Sequence, residues 1–309
     1  MSRLKTVLIT GGSGLLALNW ACAVREKWNV ILGVRQNFVK LEGVRAERIE
    51  LDSEERFGSQ LDKLSPDLVI HTAGLTSVDQ CEQNPKLAYQ ANAVIARNVA
   101  WATAVRNIQL IHISTDHLFA GDDPLYEEDS STHPLNEYAK TKLLAEKWVL
   151  ETHPKSLIFR TNFFCWGPPR RQSFSDWIIC NLREKKKLTL FDDIFFTPIL
   201  ADRLSLAAHD LLEKEVSGII NLAGDQRLSK YQFALDVCHE FGFSPSLIER
   251  GKIERAGLLT IRPRDMSLNN HKVKKILGYE LGDVKTFLAE LRIQEVMGRR
   301  KELLESTVE

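Results

Sequence analysis

The sequence predicts an α/β fold, a doubly wound parallel sheet followed by a smaller, mainly helical C-terminal region. Three observations carry this expectation. Short apolar, β-branched runs alternate with longer helical patterns through the first half of the 309 residues. A glycine-rich turn follows the first of those runs. Past Thr161 the alternation stops and helical periodicity takes over. Continuous apolar strands separated by helices imply a parallel sheet covered on both faces.

In chain order, the strand candidates are "KTVLIT", "NVILGV", "ERIEL", "DLVIHT", "QLIHIST" and "SLIFRT". Helical stretches such as "LLALNWACAVREKW" and "PKLAYQANAVIARNVAWATAVR" lie between them. After Thr161, "NFFCWGPPRRQ" reads as loop and "SFSDWIICNLREKKK" as a helix with an apolar face. Its basic end, Arg183 to Lys187, reads as a solvated cap favoured by the helix dipole. "GIINLAG", near 218–223, reads as one more strand returning to the first sheet. "SKYQFALDVCHEFGF" and "DVKTFLAELRIQEVMGRRKELLE" are helical patterns. The expected division is a dinucleotide-binding domain over 1–161 and a substrate-binding region over 162–309.

Composition narrows the class of protein. Hydrophobic residues make up 44% and charged residues 27%, as in an ordinary globular chain. The formal net charge is +0, so no overall field draws the chain to nucleic acid or an anionic membrane. No apolar run approaches the length of a membrane span, and the opening "MSRLKTVLIT" leaves no room for a signal peptide. Five cysteines, Cys22, Cys81, Cys165, Cys180 and Cys238, are scattered without CxxC spacing, which suggests reduced thiols in a cytoplasm rather than disulfides or zinc. The late His271 has no carboxylate or cysteine at metal-ligand spacing, so no catalytic metal is expected.

The glycine turn, "TGGSGLLA", contains Gly11-x-x-Gly14-x-x-Ala17 between a strand and a helix. Glycine there permits a tight bend and close approach of a diphosphate, and the helix N-terminus presents free N–H groups. This is the setting of a Rossmann-type dinucleotide site. NAD sites often place an acid at the end of the second strand, whereas this chain has Arg35 in "GVRQN". A guanidinium suits a 2′-phosphate, which favours NADPH while leaving NADH open; the alternative is a solvated surface arginine. Asp52, past the third strand, is a candidate adenine contact or a turn former.

A second motif is "YAKTK", with Tyr138 and Lys142 on one face of a helix. It follows "HISTDHLFAG", which ends the fifth strand. Together with the glycine loop, "HTAG" from His71 to Gly74 and Asn92, these segments resemble the extended short-chain dehydrogenase/reductase family. "GLTSVDQCEQNPKLAYQANA", "TPILADRLSLAAHDLL", "GIINLAG" and "RPRDMSLNNHKVKKILG" extend the resemblance to its dTDP-4-dehydrorhamnose reductase-like branch. That branch implies reduction at C4 of a nucleotide-linked keto sugar by NADPH or NADH.

The resemblance implies roles residue by residue. Tyr138 is the acid, Lys142 its tuner and ribose holder, and Thr115 the orienter of the substrate oxygen. A free phenol has a pKa near about 10 and needs a lowered one for efficient exchange, which a nearby ammonium favours. Gly11, Gly14, Leu15, Leu16, Ala73, Gly74 and Asn92 join Arg35, Asp52, Tyr138 and Lys142 around the cofactor. Thr76, Thr115, Asp116, Phe163, Arg170 and Arg264 fall to the substrate. Arg171, next to Arg170 in "GPPRRQ", is a second guanidinium for the substrate diphosphate.

The chain departs from the branch at His117, where a tyrosine is usual after "STD", and at Phe163, where a tryptophan is usual. Both changes leave the sugar open. An epimerase or dehydratase on the same scaffold is the nearest alternative, although a dehydratase would commonly add an acid pair and "STDHLF" offers Asp116 alone. A non-catalytic NADP-binding regulatory subunit is the alternative from another class. The scaffold is also compatible with a homodimer paired through helices.

Overall fold

A computed structural model describes residues 4–255, 257 and 259–306. The first half is a regular alternation: β1 (Thr6–Thr10), α1 (Leu15–Val24), β2 (Asn29–Val34), β3 (Arg45–Arg48), α2 (Glu54–Leu64) and β4 (Leu68–His71). Then come α3 (Val78–Gln83), α4 (Pro85–Ala88), a π-helical turn (Tyr89–Val94), α5 (Ile95–Ala104), β5 (Gln109–Ile113), α6 (Glu137–Thr152) and β6 (Leu157–Arg160). Every residue of β1 is buried. Its parallel neighbours are β2 on one side and β4 on the other.

The second half is less regular. It holds β7 (Phe163–Phe164), α7 (Phe174–Arg183), β8 (Leu188–Phe191), β9 (Phe195–Phe196), β10 (Ile199–Leu200), α8 (Ala201–Glu213) and β11 (Gly218–Asn221). β12 (Leu228–Ser229), α9 (Lys230–Phe241), β13 (Ile248–Gly251), α10 (His271–Leu277), α11 (Val284–Val296) and α12 (Arg299–Leu304) complete it. The strand from "GIINLAG", β11, does return to the first sheet and pairs in parallel with β6. The seven-stranded order is β11-β6-β5-β4-β1-β2-β3. The order reverses between β1 and β4, and ligands of such sheets bind beyond the strand ends at that crevice.

Three elements differ from the sequence expectation for identifiable reasons. The third strand forms over Arg45–Arg48, earlier than "ERIEL" suggests. It is an edge strand of polar and small residues, so alternation carries little signal, while buried Ile49 bonds to Val34 and plugs against Gly33. The long helical pattern from Pro85 is interrupted by the π turn, which leaves the composition of the helix unchanged. The last helical pattern breaks at Gly298, whose φ of 90° is left-handed, giving α11 and α12 as separate helices. One hydrophobic cluster joins the sheet face under α1 to α7, α8, α9 and α11, through residues such as Trp20, Trp166, Phe233 and Phe287. Among the described residues no helix is long and apolar enough to cross a membrane.

Candidate active site

A cleft of about 350 Å³ opens above the C-terminal ends of β1, β4 and β5. Its lining includes Gly14, Leu15, Leu16, Ala73, Gly74, Thr76, Asn92, Thr115, Asp116, Tyr138, Lys142 and Phe163. Residues from six segments of the sequence therefore meet at the reversal of strand order.

The glycine turn shapes one wall. Gly11 has φ 70°, and a Cβ there would lie 2.9 Å from the Ala73 backbone. Gly14 donates to the Gly11 carbonyl at 2.8 Å and precedes α1 without any side-chain cap. The first N–H groups of α1 are thus left for another acceptor. Asn92 holds the opposite wall. Its Oδ1 accepts from Leu75 N at 2.7 Å, and its Nδ2 donates to Leu75 O at 3.0 Å and to Thr141 Oγ1 at 3.0 Å. The π turn lets one amide tie the loop after β4 to α6, a known use of such turns near sites. Asn92 lines the cleft, but its polar atoms are engaged in this structural task.

Asn136 caps α6 by accepting from Ala139 N at 3.0 Å. Further along, Glu146 accepts from Ser114 Oγ at 2.5 Å and from Arg160 Nη2 at 2.8 Å, with both charged side chains nearly excluded from solvent. This pair pins α6 onto β5 and β6. Tyr138 and Lys142 are consequently buried side chains on a fixed helix, at 8% and 7% exposure.

Burial pushes the Tyr138 phenol up to about 12, with the Thr115 side chain acting in the opposite direction. Burial, rather than the Lys142 ammonium, is the largest influence on the phenol. The ammonium turns to β5, donating to the Ile113 carbonyl at 2.6 Å and standing 3.2 Å from His112 Nε2. Burial pulls Lys142 down to about 8, opposed by Glu146. Desolvation outweighs the expected charge effect on the phenol. The outcome is a tyrosine held protonated near neutral pH, the form that can donate.

Around this pair, Asp116 is buried and accepts from Asn162 Nδ2 at 2.6 Å. His117 stands edge-on to Tyr138 with ring centroids 5.7 Å apart. Burial lowers the His117 pKa, Asp116 opposes this, and Lys230 and Arg262 reinforce it. Phe163 lines the cleft from β7. Thr76 also lines it and accepts a hydrogen bond from Arg171.

A second cleft continues over the glycine turn, lined by Gly11, Ser13, Gly14, Asn37, Phe38, Ala73, Gly74, Arg170 and Arg171 among others. Arg170, assigned from sequence to the substrate, lies on this side rather than beside Tyr138, and Arg171 is the neighbour that reaches both clefts. Arg264 is not brought in, because its half-exposed guanidinium pairs with Glu254. Two residues earlier Arg262 pairs with Asp79 and acts on His117; "IRPR" carried both arginines, and a spacing of two puts them on one face of an extended segment, so the pattern alone did not separate them. Arg35 and Asp52 are exposed and outside the residues lining either cleft, with Arg35 one position past β2. Sequence reading missed His112, Asn162 and the Glu146–Arg160 pair, whose partners meet only through the sheet. No group of three His, Cys, Asp or Glu side chains among the described residues is arranged to hold a metal.

An uncapped helix N-terminus, glycines packed where a Cβ would collide, and a continuous groove on both sides of them fit a dinucleotide. With tyrosine, lysine and threonine beside it, the site defines the class: an extended short-chain dehydrogenase/reductase scaffold. Residues 5–296 match the family described as "RmlD substrate binding domain", and the chain belongs to that family.

The chain is similar to the "Probable low-salt glycan biosynthesis reductase Agl14" of Haloferax volcanii, 30% identical over 92% of this chain and 96% of that protein. It is 31% identical to the dTDP-4-dehydrorhamnose reductase of Salmonella typhimurium, over 74% of this chain and 81% of that one. It is also 27% identical to methionine adenosyltransferase 2 subunit beta of Xenopus laevis, over 88% of this chain and 82% of that protein. The crystal structure of Bacillus anthracis dTDP-4-dehydrorhamnose reductase in complex with NADP superposes with a TM-score of 0.84 at 23% identity, covering 94% of this chain and 100% of that chain. That likeness is one of fold.

Proposed function

We propose that the protein is an NAD(P)H-dependent reductase of a nucleotide-linked 4-keto-6-deoxy sugar, forming a C4 hydroxyl with the proton of Tyr138. The carrying observation is a buried, protonated phenol that shares one cleft with Thr115 and an uncapped α1 N-terminus. Bound NADPH supplies the hydride. As charge develops on the carbonyl oxygen, the Tyr138 hydroxyl donates to it and the Thr115 hydroxyl orients it. Gly11, Gly14 and the N–H groups of Leu15 and Leu16 cradle the cofactor diphosphate, with Ala73 and Gly74 facing it across the groove. Arg35, at the end of β2, is the group for a 2′-phosphate and the reason to expect NADPH ahead of NADH. Lys142 binds the nicotinamide ribose.

The sugar lies against Thr76, Asp116, His117 and Phe163, and residues 162–309 supply the rest of its site. The relatives named as reductases support both the reaction and the substrate class. Five free cysteines and a biosynthetic substrate suit the cytoplasm.

A second reading, a cofactor-binding regulatory subunit, is favoured by the match to methionine adenosyltransferase 2 subunit beta. One experiment separates the two. The protein is mixed with NADPH and dTDP-4-dehydro-6-deoxy-L-mannose while loss of reduced nicotinamide is followed, beside Tyr138→Phe. A reductase turns over, and the variant loses about 10²–10⁴-fold in kcat, the usual worth of a positioned acid. NADPH binding without turnover rejects this substrate and favours the regulatory reading.

A further inference from the structure

Beneath Lys142 lie two buried histidines that the reaction above does not use. His112 on β5 and His71 on β4 are register partners, each 1% exposed. Their rings stack with centroids 5.3 Å apart. His71 Nδ1 is 2.8 Å from Thr10 Oγ1, and His112 Nε2 is 3.2 Å from Lys142 Nζ. The titratable and charged groups around the ammonium are therefore His112 from β5, His71 from β4, and Tyr138 and Glu146 on its own helix, with Arg160 of β6 bound to Glu146.

An ammonium has three donors and no acceptor. His112 Nε2 must then accept, which places the proton of the neutral ring on Nδ1. That Nδ1 is buried without a hydrogen-bond partner among the described residues. Burial, Lys142 and His71 all hold His112 well below its ordinary value, so the ring stays neutral and keeps its acceptor. In a strand whose interior neighbours Leu110 and Ile111 are apolar, a β-branched residue would avoid this unsatisfied N–H.

We infer that His112 is a positioning residue for Lys142. Its Nε2 and the Ile113 carbonyl occupy two of the three ammonium donors, leaving one N–H for the cleft that Lys142 lines. The reach and direction of the lysine are set from β5 as well as from α6. What that remaining N–H meets, the cofactor ribose, rests on the reductase reading; the Lys142–His112 pairing does not.

The test uses His112→Leu, which removes the acceptor, and His112→Gln, which supplies an amide oxygen in its place. The first readout is the Lys142 titration in 13C-lysine-labelled protein, assigned by its loss in Lys142→Met. Removing an acceptor destabilises the cation, so His112→Leu lowers the Lys142 pKa by about one unit, the tenfold or more expected for a bond to a charged group. His112→Gln stays near wild type. NADPH affinity, read by nicotinamide fluorescence at pH 8, falls about tenfold in His112→Leu and about twofold or less in His112→Gln. Unchanged titration in His112→Leu overturns the inference, as does a glutamine variant as impaired as the leucine one. Should His112→Leu fail to fold, 15N imidazole shifts of the wild type decide: a proton on Nδ1 is expected, and one on Nε2 overturns the inference. None of these readouts needs turnover, so they stand apart from the test of the reductase reading.

Discussion

Two polar layers lie under α6, one turn apart, and they are built on opposite principles. At Glu146 the charges are complementary: Arg160 and Ser114 satisfy the carboxylate, and Arg160 also donates to the Glu128 carbonyl at 3.0 Å. At Lys142 a cation meets neutral imidazole and a carbonyl, and His112 Nδ1 and His71 Nε2 have no partner among the described residues. A closed network holds a helix in place. An open one keeps buried groups in costly states, which is where function tends to sit. The difference separates what anchors the Tyr138 helix from what adjusts its chemistry.

Breaking the closed layer has the largest expected effect. Glu146→Gln leaves the Arg160 guanidinium buried without its counter-charge and costs about 3–5 kcal/mol, measured by denaturant unfolding. Glu146→Leu with Arg160→Met removes both charges and regains most of that loss. A double variant as unstable as the single one would mean that the pair is needed for more than mutual neutralisation. Neither residue lines the cleft that holds Tyr138, but Glu146 supports the Lys142 charge, so NADPH affinity per folded molecule falls in the double variant even where stability is regained.

The open layer predicts a pH dependence. Burial pulls His71 down to about 3 and His112 also far below its ordinary value. In the unfolded chain both rings take up protons below about pH 6.5, whereas in the native protein they stay neutral until much lower pH. Stability is therefore lost as pH falls below about 6.5, by about 1.4 kcal/mol per unit for each ring. Denaturation midpoints from pH 7.5 to pH 5 measure the slope. A flatter slope in His71→Asn with His112→Gln is expected, and an identical slope would assign the acid sensitivity to carboxylates elsewhere.

The contrast also explains how much of the molecule was legible beforehand. Gly11 and Gly14 declare themselves because a tight strand-to-helix turn is a local demand on φ and on space. Tyr138 and Lys142 declare themselves because four residues is one helix turn. The alternation of elements likewise yielded the parallel sheet, and "GIINLAG" a further strand of it, while its place beside β6 came only with the structure. By contrast, His112 meets Lys142 across a separation of 30 residues, through the register of a helix against a strand. Arg170 and Arg171 differ by one position, and only the path of their loop decides which reaches Thr76. Sequence spacing also places two side chains on one face but not their solvent exposure, and here burial is the largest influence on the phenol.

The smallest expected effect tests that last point within the site. Thr115 opposes the upward shift of Tyr138 and lines the same cleft. Thr115→Val keeps the shape and removes the hydroxyl. The phenol then shifts further in the direction that burial pushes it, and the substrate oxygen loses a partner. A single neutral hydrogen bond is worth about 0.5–1.5 kcal/mol, so kcat falls by up to about tenfold while KM changes less. Thr115→Ser restores the hydroxyl and most of the rate. If valine and serine reduce kcat alike, the methyl group rather than the hydroxyl is what the site uses, and Tyr138 donates its proton without help from β5.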